Sequence, residues 1–428
     1  MGLTPALRCA SCPAMQSQPI SRVPHLLLPL VLIPLAGRLA LPESRAGDWY
    51  RWRGPDLNGV SQEAGWSATW PKEGPKPLWK AKVGIGFSSV SVSGGRVYTM
   101  GNQDDQDTVY CYAAETGKEL WKHTYACKLE AKYYDGGPGG TPSVDGDRLF
   151  TLSKLGHLFC FEADTGRVVW SKNLVEELGA KLPTWFLASS VLVQGDRLFI
   201  NVGKAGTALN KADGKVVWTT GKEAAGYATP VPFAIGGVSG LAVFGEKELY
   251  AVDPKTGGTL WAYPWKTQYD VNAADPIISG DRAFISSGYK HGAALLRVAG
   301  GKPSLVWENK DMRNRYSSCV LLDGYLYGFD EGGDLKCVEL NSGAVKWAEK
   351  GLSKKDEEGG VTAAGGKLIA LGSKGELAVA EATPTGFKAI SRAQVIGGKC
   401  WTAPVLSNGR IYCRNAAGDL VCLDVRGK

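Results

Sequence analysis

Short stretches of alternating hydrophobic and polar residues recur along most of the chain, with glycine-containing turns between them. One unit contains four such stretches, at residues 141–144, 148–152, 157–161 and 168–170. Asp145-Gly146 and Asp164-Thr165-Gly166 supply turns, and glycine suits the positive φ that tight turns require. The pattern predicts a four-stranded antiparallel meander as the repeating unit.

Tryptophan marks the period of this unit. Seven tryptophans recur at intervals of 40 to 49 residues: Trp79, Trp121, Trp170, Trp218, Trp261, Trp307 and Trp347. In five units a glycine lies four residues ahead of the tryptophan: Gly117, Gly166, Gly214, Gly257 and Gly343. An eighth unit keeps the turn at 385–386 but has Phe387 and no tryptophan. A fixed period of this length is typical of repeat architectures, and the tryptophans are predicted to dock one unit on the next.

The repeat predicts an all-β, eight-bladed β-propeller of four-stranded antiparallel blades. One such sheet cannot cover both of its apolar faces, whereas radial stacking buries them. The last unit, 404–424, contains only three strands, and an unpaired strand lies at 77–80. We expect these to complete one blade together and to close the ring, which removes two open edges. Fewer blades or an open solenoid would leave the strand at 77–80 unexplained.

Residues 1–46 have the features of a secretory signal peptide. Arg8 and Arg22 precede an apolar run at 26–36, and small residues follow at two positions, Ser44 and Ala46. The run is about half the ~20 residues that span a bilayer, so no transmembrane anchor is expected. Arg38 stands where a lipoprotein would carry its cysteine. The sequence predicts a periplasmic or secreted protein.

The remaining chain divides into an N-terminal extension, 47–75, and the propeller, 76–428. The extension is rich in aromatic residues, which predicts that it packs on the propeller: Trp49, Tyr50, Trp52, Trp66 and Trp70. Without residues 1–46 the chain has 45 basic and 41 acidic residues, a net charge of +4. From this balance no nucleic-acid partner is expected.

Residues 251–261 match the AxDxxTGxxxW tryptophan-docking motif of pyrroloquinoline-quinone-like (PQQ-like) propeller repeats at every fixed position, and 160–170 and 337–347 are close variants. The chain therefore resembles that family over about 350 residues. Its repeats are also similar to those of the outer-membrane barrel-assembly lipoprotein, which has no cofactor. The segment Trp52-Arg53-Gly54-Pro55, continuing to Ser61, resembles the opening of exported propellers abundant in planctomycete-like bacteria, most of which lack an assigned function.

Resemblance to quinoprotein dehydrogenases implies an adjacent cysteine pair beneath the quinone and a calcium site of Glu, Asn and Asp. This sequence has no adjacent cysteines. No cofactor is therefore expected, and PQQ with calcium stays the alternative. The three histidines outside residues 1–46, His123, His157 and His291, lack ligand spacing, so no metal site is predicted.

The cysteines of the repeats fall into two sets. Four occupy the same third-strand position, where a small apolar residue is wanted for packing: Cys111, Cys160, Cys337 and Cys422. Among the other four a single disulfide is conceivable: Cys127, Cys319, Cys400 and Cys413.

Candidate ligand-binding residues lie where the first strands begin, near the axis of a propeller. Aromatic-small-small patterns recur there, at 87–89, 227–229, 316–318 and 401–403. They fit either close packing of converging strands or a polar funnel with aromatic walls. Two charged loops and Trp401 complete the prediction: Tyr269, Asp270, Asn272 and Asp275; Arg313, Asn314, Arg315 and Tyr316.

The first loop offers oxygen ligands for a cation, and the second offers guanidinium groups for a carboxylate, phosphate or sugar. Solvated loop ends with local turn hydrogen bonds are the alternative. The favoured function is an exported, non-catalytic binding scaffold, monomeric, for a protein, peptide or glycan partner, and no catalytic residues are assigned. The alternative is a PQQ- or metal-assisted oxidoreductase of an alcohol or sugar, with Asp270 or Asp275 as general base.

Overall fold

The computed structural model describes residues 47–427, and the predicted signal peptide lies outside them. Within this range the chain is all-β, and eight antiparallel blades of four strands form a β-propeller, as predicted. The first strands of neighbouring blades lie against one another and so surround the axis. The single helix of residues 47–427, Leu174–Leu178, has five residues, and no helix in this range is long and apolar enough to cross a membrane.

Each blade is a meander that runs outward from its first strand. The strands of blades 1 to 4 are Ser91–Ser93, Arg96–Gln103, Gln106–Ala113 and Glu119–Ala126; Ser143–Asp145, Arg148–Leu152, His157–Glu162 and Val168–Asn173; Leu192–Gln194, Arg197–Ile200, Thr207–Asn210 and Val216–Thr219; Val231–Ile235, Val238–Phe244, Glu248–Val252 and Thr259–Pro264. Those of blades 5 to 7 are Ile277–Ser279, Arg282–Ser287, Gly292–Ala299 and Lys302–Asn309; Val320–Leu322, Tyr325–Phe329, Leu335–Glu339 and Val345–Glu349; Gly360–Ala364, Lys367–Leu371, Glu376–Glu381 and Ala389–Gln394.

Blade 8 combines strands from both ends of the described chain. Val405–Ser407, Arg410–Arg414 and Asp419–Asp424 form its inner three strands, and Pro77–Lys82 pairs antiparallel with the last of them as the outer strand. A two-residue strand, Val60–Ser61, pairs in parallel with the first strand of blade 7.

The docking tryptophans join neighbouring blades. The indole Nε1 of Trp79 donates to the Ala114 carbonyl of blade 1 at 2.9 Å, and that of Trp121 donates to the Ala163 carbonyl of blade 2 at 2.9 Å. Four further tryptophans make the same contact at 2.7 to 3.1 Å: Trp170, Trp218, Trp307 and Trp347. The indole thus satisfies a turn carbonyl of the following blade while its ring fills the space between the blades.

In five units the glycine ahead of the tryptophan receives the tryptophan ring of the preceding blade. A Cβ atom on Gly117 would lie 2.6 Å from the Trp79 ring, and one on Gly166 would lie 2.5 Å from Trp121. Both glycines also have positive φ, 70° and 72°. Only glycine meets both requirements, which explains the constant spacing.

The junction between blades 7 and 8 lacks a docking tryptophan. Trp66 and Trp70 of the N-terminal extension pack there, against a buried cluster that includes Leu406, Ile411 and Val425. Extension residues thus fill the space that an indole fills at the other junctions.

The third-strand cysteines lie directly opposite the docking tryptophans of their own blades. Cys111 faces Trp121, Cys160 faces Trp170, and Cys422 faces Trp79 across the sheet. A small residue is needed beside so large a ring. All eight cysteines of residues 47–427 are buried and free, so the structure contains no disulfide among Cys127, Cys319, Cys400 and Cys413.

Candidate functional site: an axial cavity with one covered end

The start of the N-terminal extension crosses one end of the propeller axis. Residues 47–61 contact the first strand of one blade after another. Trp49 bridges to Val92 of blade 1, and the Tyr50 carbonyl accepts the Val144 N–H of blade 2 at 2.8 Å. Arg51 contacts blade 3, and Arg53 contacts blade 6. Val60 contacts blade 7, and Gly47 contacts blade 8. We call residues 47–61 the axial plug.

A buried ion pair anchors the axial plug at its centre. The Nε of Arg53 lies 3.7 Å from a carboxylate oxygen of Asp275, and both side chains are almost fully buried. The Trp52 indole donates to the same oxygen at 2.6 Å. Burial lowers the pKa of Arg53 and raises that of Asp275, and the attraction between them opposes both shifts.

The sequence of the plug suits a tight turn around Arg53. The guanidinium also donates to the Asn58 carbonyl at 3.0 Å and to the backbone carbonyl of Cys319 in blade 6 at 2.8 Å. A Cβ on Gly54 would lie 2.9 Å from the Trp49 ring, and one on Gly59 would lie 2.8 Å from Val320. The Trp-Arg-Gly-Pro opening therefore encodes a compact element that fits the end of the axis.

A chain of hydrogen bonds runs from blade to blade around the axis, and we call it the inter-blade belt. The backbone N–H of Ser89 donates to the hydroxyl of Thr141 at 3.1 Å, and the N–H of Thr141 donates to Ser190 at 2.9 Å. The chain continues through Thr229, Asp275 and Ser318 at 2.8 to 3.0 Å. Blade 5 has the Asp275 carboxylate at this position. Its Oδ1 accepts the Thr229 N–H of the belt, and its Oδ2 accepts the Trp52 indole N–H of the plug.

The belt accounts for the aromatic-small-small patterns. Its members Ser89, Thr229 and Ser318 occupy the third position of three of them. The aromatic residues at the first position, such as Tyr227 and Tyr316, line a cavity above the belt. Both interpretations of the pattern thus describe part of the structure.

The cavity has a volume of about 990 Å³ and lies at the beginning of the first strands, at the end of the axis opposite the plug. Trp52 and Asp275 form its floor. Ten aromatic side chains line it: Trp52, Phe87, Tyr133, Tyr134, Trp185, Tyr227, Tyr269, Tyr289, Tyr316 and Trp401.

The rings form two groups that hold each other in place. In the first, Trp401 stacks on Tyr316 and Phe87 with ring centroids 4.3 and 5.2 Å apart. In the second, Trp185 stacks on Tyr289 at 6.2 Å and meets Tyr269 edge-on at 6.3 Å. Mutual packing restricts the side-chain rotamers, so the wall is preorganised.

Arg315 connects the two groups. Its guanidinium carbon lies 5.1 Å from the Tyr316 ring centroid and 5.9 Å from that of Tyr289, within cation–π range. Its terminal nitrogen donates to the Asp356 carbonyl at 2.7 Å. Beneath it, the carboxyl group of buried Glu358 accepts the backbone N–H groups of residues 315–317 at 2.6 to 3.1 Å. Glu358 therefore fixes this part of the wall.

Burial raises the pKa of Glu358 from 4.5 to about 8, against its three backbone donors and Arg315. The folded state then holds this proton more tightly than the unfolded state between those values. Stability should fall as pH rises from about 5 to 8, by on the order of 3 kcal/mol for this group, at about 1.4 kcal/mol per pKa unit. We expect E358Q to lose that part of the slope in urea unfolding.

Other buried carboxyls with raised pKa values, Asp107 and Asp275, titrate in both proteins and cancel in the comparison. Because a glutamine amide cannot accept three N–H groups as well, E358Q starts from lower stability at pH 5. The two slopes decide the prediction, and parallel pH profiles would contradict it.

The structure brings some of the predicted site residues together and separates others. Five of them line the cavity: Tyr269, Asp275, Arg315, Tyr316 and Trp401. Arg313 instead pairs with Asp330 at 2.5 Å, and the Asn314 amide donates to the Phe329 carbonyl at 2.8 Å. Asp270 and Asn272 are also absent from the cavity wall of the described chain.

Asn272 is a buried structural residue. Its side-chain amide donates to the Gly245 and Glu246 carbonyls, both at 3.0 Å, and its Oδ1 accepts the Ser287 hydroxyl at 2.8 Å. It therefore has no oxygen to offer a cation together with Asp275. The loop residues Trp185, Tyr289 and Lys399 line the cavity without any repeated sequence signal.

The cavity does not fit PQQ with calcium. None of the eight described cysteines lines the cavity, and Asp275 is committed to Arg53, Trp52 and Thr229. In the range 47–427 no group of three or more His, Cys, Asp or Glu side chains could hold a metal ion. The donor set that the quinoprotein resemblance implies is thus not assembled.

Solved structures of known proteins share this fold. BamB from Moraxella catarrhalis superimposes with a TM-score of 0.62 at 15% identity, over 82% of this chain and 99% of that one. Quinohemoprotein alcohol dehydrogenase from Comamonas testosteroni gives 0.62 at 14% identity, over 91% and 82%. A europium-containing methanol dehydrogenase gives 0.62 at 13%, over 86% and 89%. These likenesses concern the fold alone.

No curated protein matches the chain in sequence. The PQQ-like repeat family model described as outer membrane protein assembly factor BamB matches residues 61–137 and 107–349. This match extends over more than half of the chain and agrees with the repeats and blades. The chain belongs to that PQQ-like β-propeller family.

Proposed function

We propose that the protein is an exported, non-catalytic binding propeller that holds a protein, peptide or glycan partner at the open mouth of its axial cavity. The preorganised aromatic wall is the observation that carries this proposal, because rings fixed by mutual stacking bind a partner at little entropic cost. The covered end leaves one mouth for entry. The family description, an assembly factor of the outer membrane, supports a binding role in the cell envelope.

The charged groups of the cavity support binding over catalysis. Asp275, the candidate general base, is held by Arg53, Trp52 and Thr229. Lys399 pairs with Asp135 at 2.5 Å, and Glu357 lies 3.6 Å from Lys354. Each of these charges is thus paired with a side chain of opposite charge.

Replacement of Trp185 tests the proposal, because this half-buried ring contacts three tyrosines of the wall. Tyr263 on the outer strand of blade 4 is a matched half-buried aromatic outside the cavity. Immobilised wild type, W185A and Y263A are exposed separately to protein and polysaccharide fractions of the cell envelope. We expect wild type and Y263A to retain the same component and W185A to bind it at least about tenfold more weakly.

Equal retention by all three proteins would place binding outside the axial cavity. The oxidoreductase alternative is tested on the same preparations with PQQ and calcium. A calcium-dependent rise in melting temperature together with dye-linked oxidation of an alcohol or sugar would replace the binding proposal.

A further inference from the structure

We infer that the occupant of the axial cavity is a neutral carbohydrate chain, an inference that rests on the proposed function and narrows its partner to one chemical class. Aromatic residues are the largest class among the described residues that line the cavity: six tyrosines, three tryptophans and one phenylalanine. Leu187 and Val271 are its only larger aliphatic side chains among the described residues. The wall therefore offers flat rings together with hydroxyl groups.

This combination matches the two-sided chemistry of a sugar ring. A pyranose presents a face of C–H groups, which packs on aromatic rings, and a rim of hydroxyls, which needs donors and acceptors. Hydroxyl side chains lie among the rings of the wall: Thr184, Ser190, Thr229 and Thr402. A volume of about 990 Å³ is at the upper end of the range for small-ligand pockets and suits several linked residues.

The charge balance favours a neutral ligand. Among residues 47–427, three cationic side chains line the cavity, Lys132, Arg315 and Lys399, and three anionic ones, Asp275, Asp356 and Glu357. Asp275 and Lys399 are also paired with opposite charges from the plug and from Asp135. Neither sign is in excess, so a strongly acidic polymer or a highly charged peptide gains no net attraction.

The backbone around the axis leaves little for a peptide to pair with. Peptides that join a sheet as an extra strand need unpaired N–H and C=O groups. Here the N–H groups of Phe87 and Ser88 donate to the Pro138 carbonyl, and those of Tyr227 and Ala228 donate to the backbone carbonyl of Asn272. The inter-blade belt uses the next residues. Recognition at the axis therefore depends on side chains, which suits a carbohydrate.

Titration calorimetry on the full chain tests this inference with neutral hexasaccharides of the hexose, pentose and N-acetylhexosamine polymers as probes. An oligogalacturonate of equal length is the acidic control, and a proline-rich decapeptide is the peptide control. We expect at least one neutral probe to bind, with W185A and Y269A weakening it about tenfold or more and Y263A leaving it unchanged. Unchanged melting temperatures would show that the variants fold.

Two other outcomes would overturn the inference and are distinguishable. Trp185-dependent binding confined to the peptide, the acidic probe or an envelope protein would reject the neutral carbohydrate and retain the proposed cavity. If no probe and no envelope fraction shows Trp185-dependent binding, both the carbohydrate and the proposed function fail.

Discussion

The R53M variant is expected to lose about 3–5 kcal/mol of unfolding free energy, because it leaves the Asp275 carboxylate buried without its cation. The methionine keeps most of the apolar volume of the side chain, so the loss reports mainly on charge. Asp275 retains only the Trp52 indole and the Thr229 N–H as donors, at 2.6 and 2.8 Å. Urea unfolding at neutral pH measures the effect.

A double-mutant cycle separates the ion pair from simple loss of packing. R53M/D275N removes both charges, so it should lose clearly less than the sum of the two single variants. The R53M defect should also shrink at acid pH, where protonation neutralises the stranded carboxyl. R51M is the matched control, because Arg51 is only half-buried and bonds to carbonyls and a tyrosine hydroxyl. Additive single effects would show that the pair does not anchor the plug.

Contacts that repeat from blade to blade can be predicted from one sequence, whereas contacts that occur once cannot. A glycine contacts the tryptophan of the preceding blade at five junctions. The constant distance between glycine and tryptophan therefore repeats within the sequence and predicts the blades. The contact between Trp52 and Asp275 joins residues 223 positions apart and occurs once. No internal repetition signals it, so the sequence alone predicts a cation or a ligand as the partner of this carboxylate.

The candidate site was predictable to the extent that it follows the repeat. Tyr316 and Trp401 stand at the same position of successive aromatic-small-small patterns, and both line the cavity. Trp185 and Tyr289 lie in connecting loops of unequal length, which have no common register. Only part of the charged loop at 313–316 lines the cavity, because alternate side chains have different surroundings. Arg313 reaches Asp330 within its own blade, whereas Arg315 reaches the cavity.

The W218A variant is expected to lose about 3–5 kcal/mol, the range for removing a large buried ring. Trp218 is 9% exposed, donates to the Pro254 carbonyl at 3.1 Å and covers Gly257, so alanine opens a cavity between blades 3 and 4. W218F retains most of the ring and loses the hydrogen bond, which should cost about 1 kcal/mol.

The neighbouring residue provides the control for this variant. Val217 lies on the same strand with 44% of its surface exposed, and V217A should change stability by no more than about 0.5 kcal/mol. Because Trp218 joins two blades of one ring, its loss should lower the midpoint of a single unfolding transition and should not produce a second transition. A separate early transition in W218A would mean that blades 3 and 4 unfold independently, and a loss equal to that of V217A would show that the docked indole contributes little to the junction.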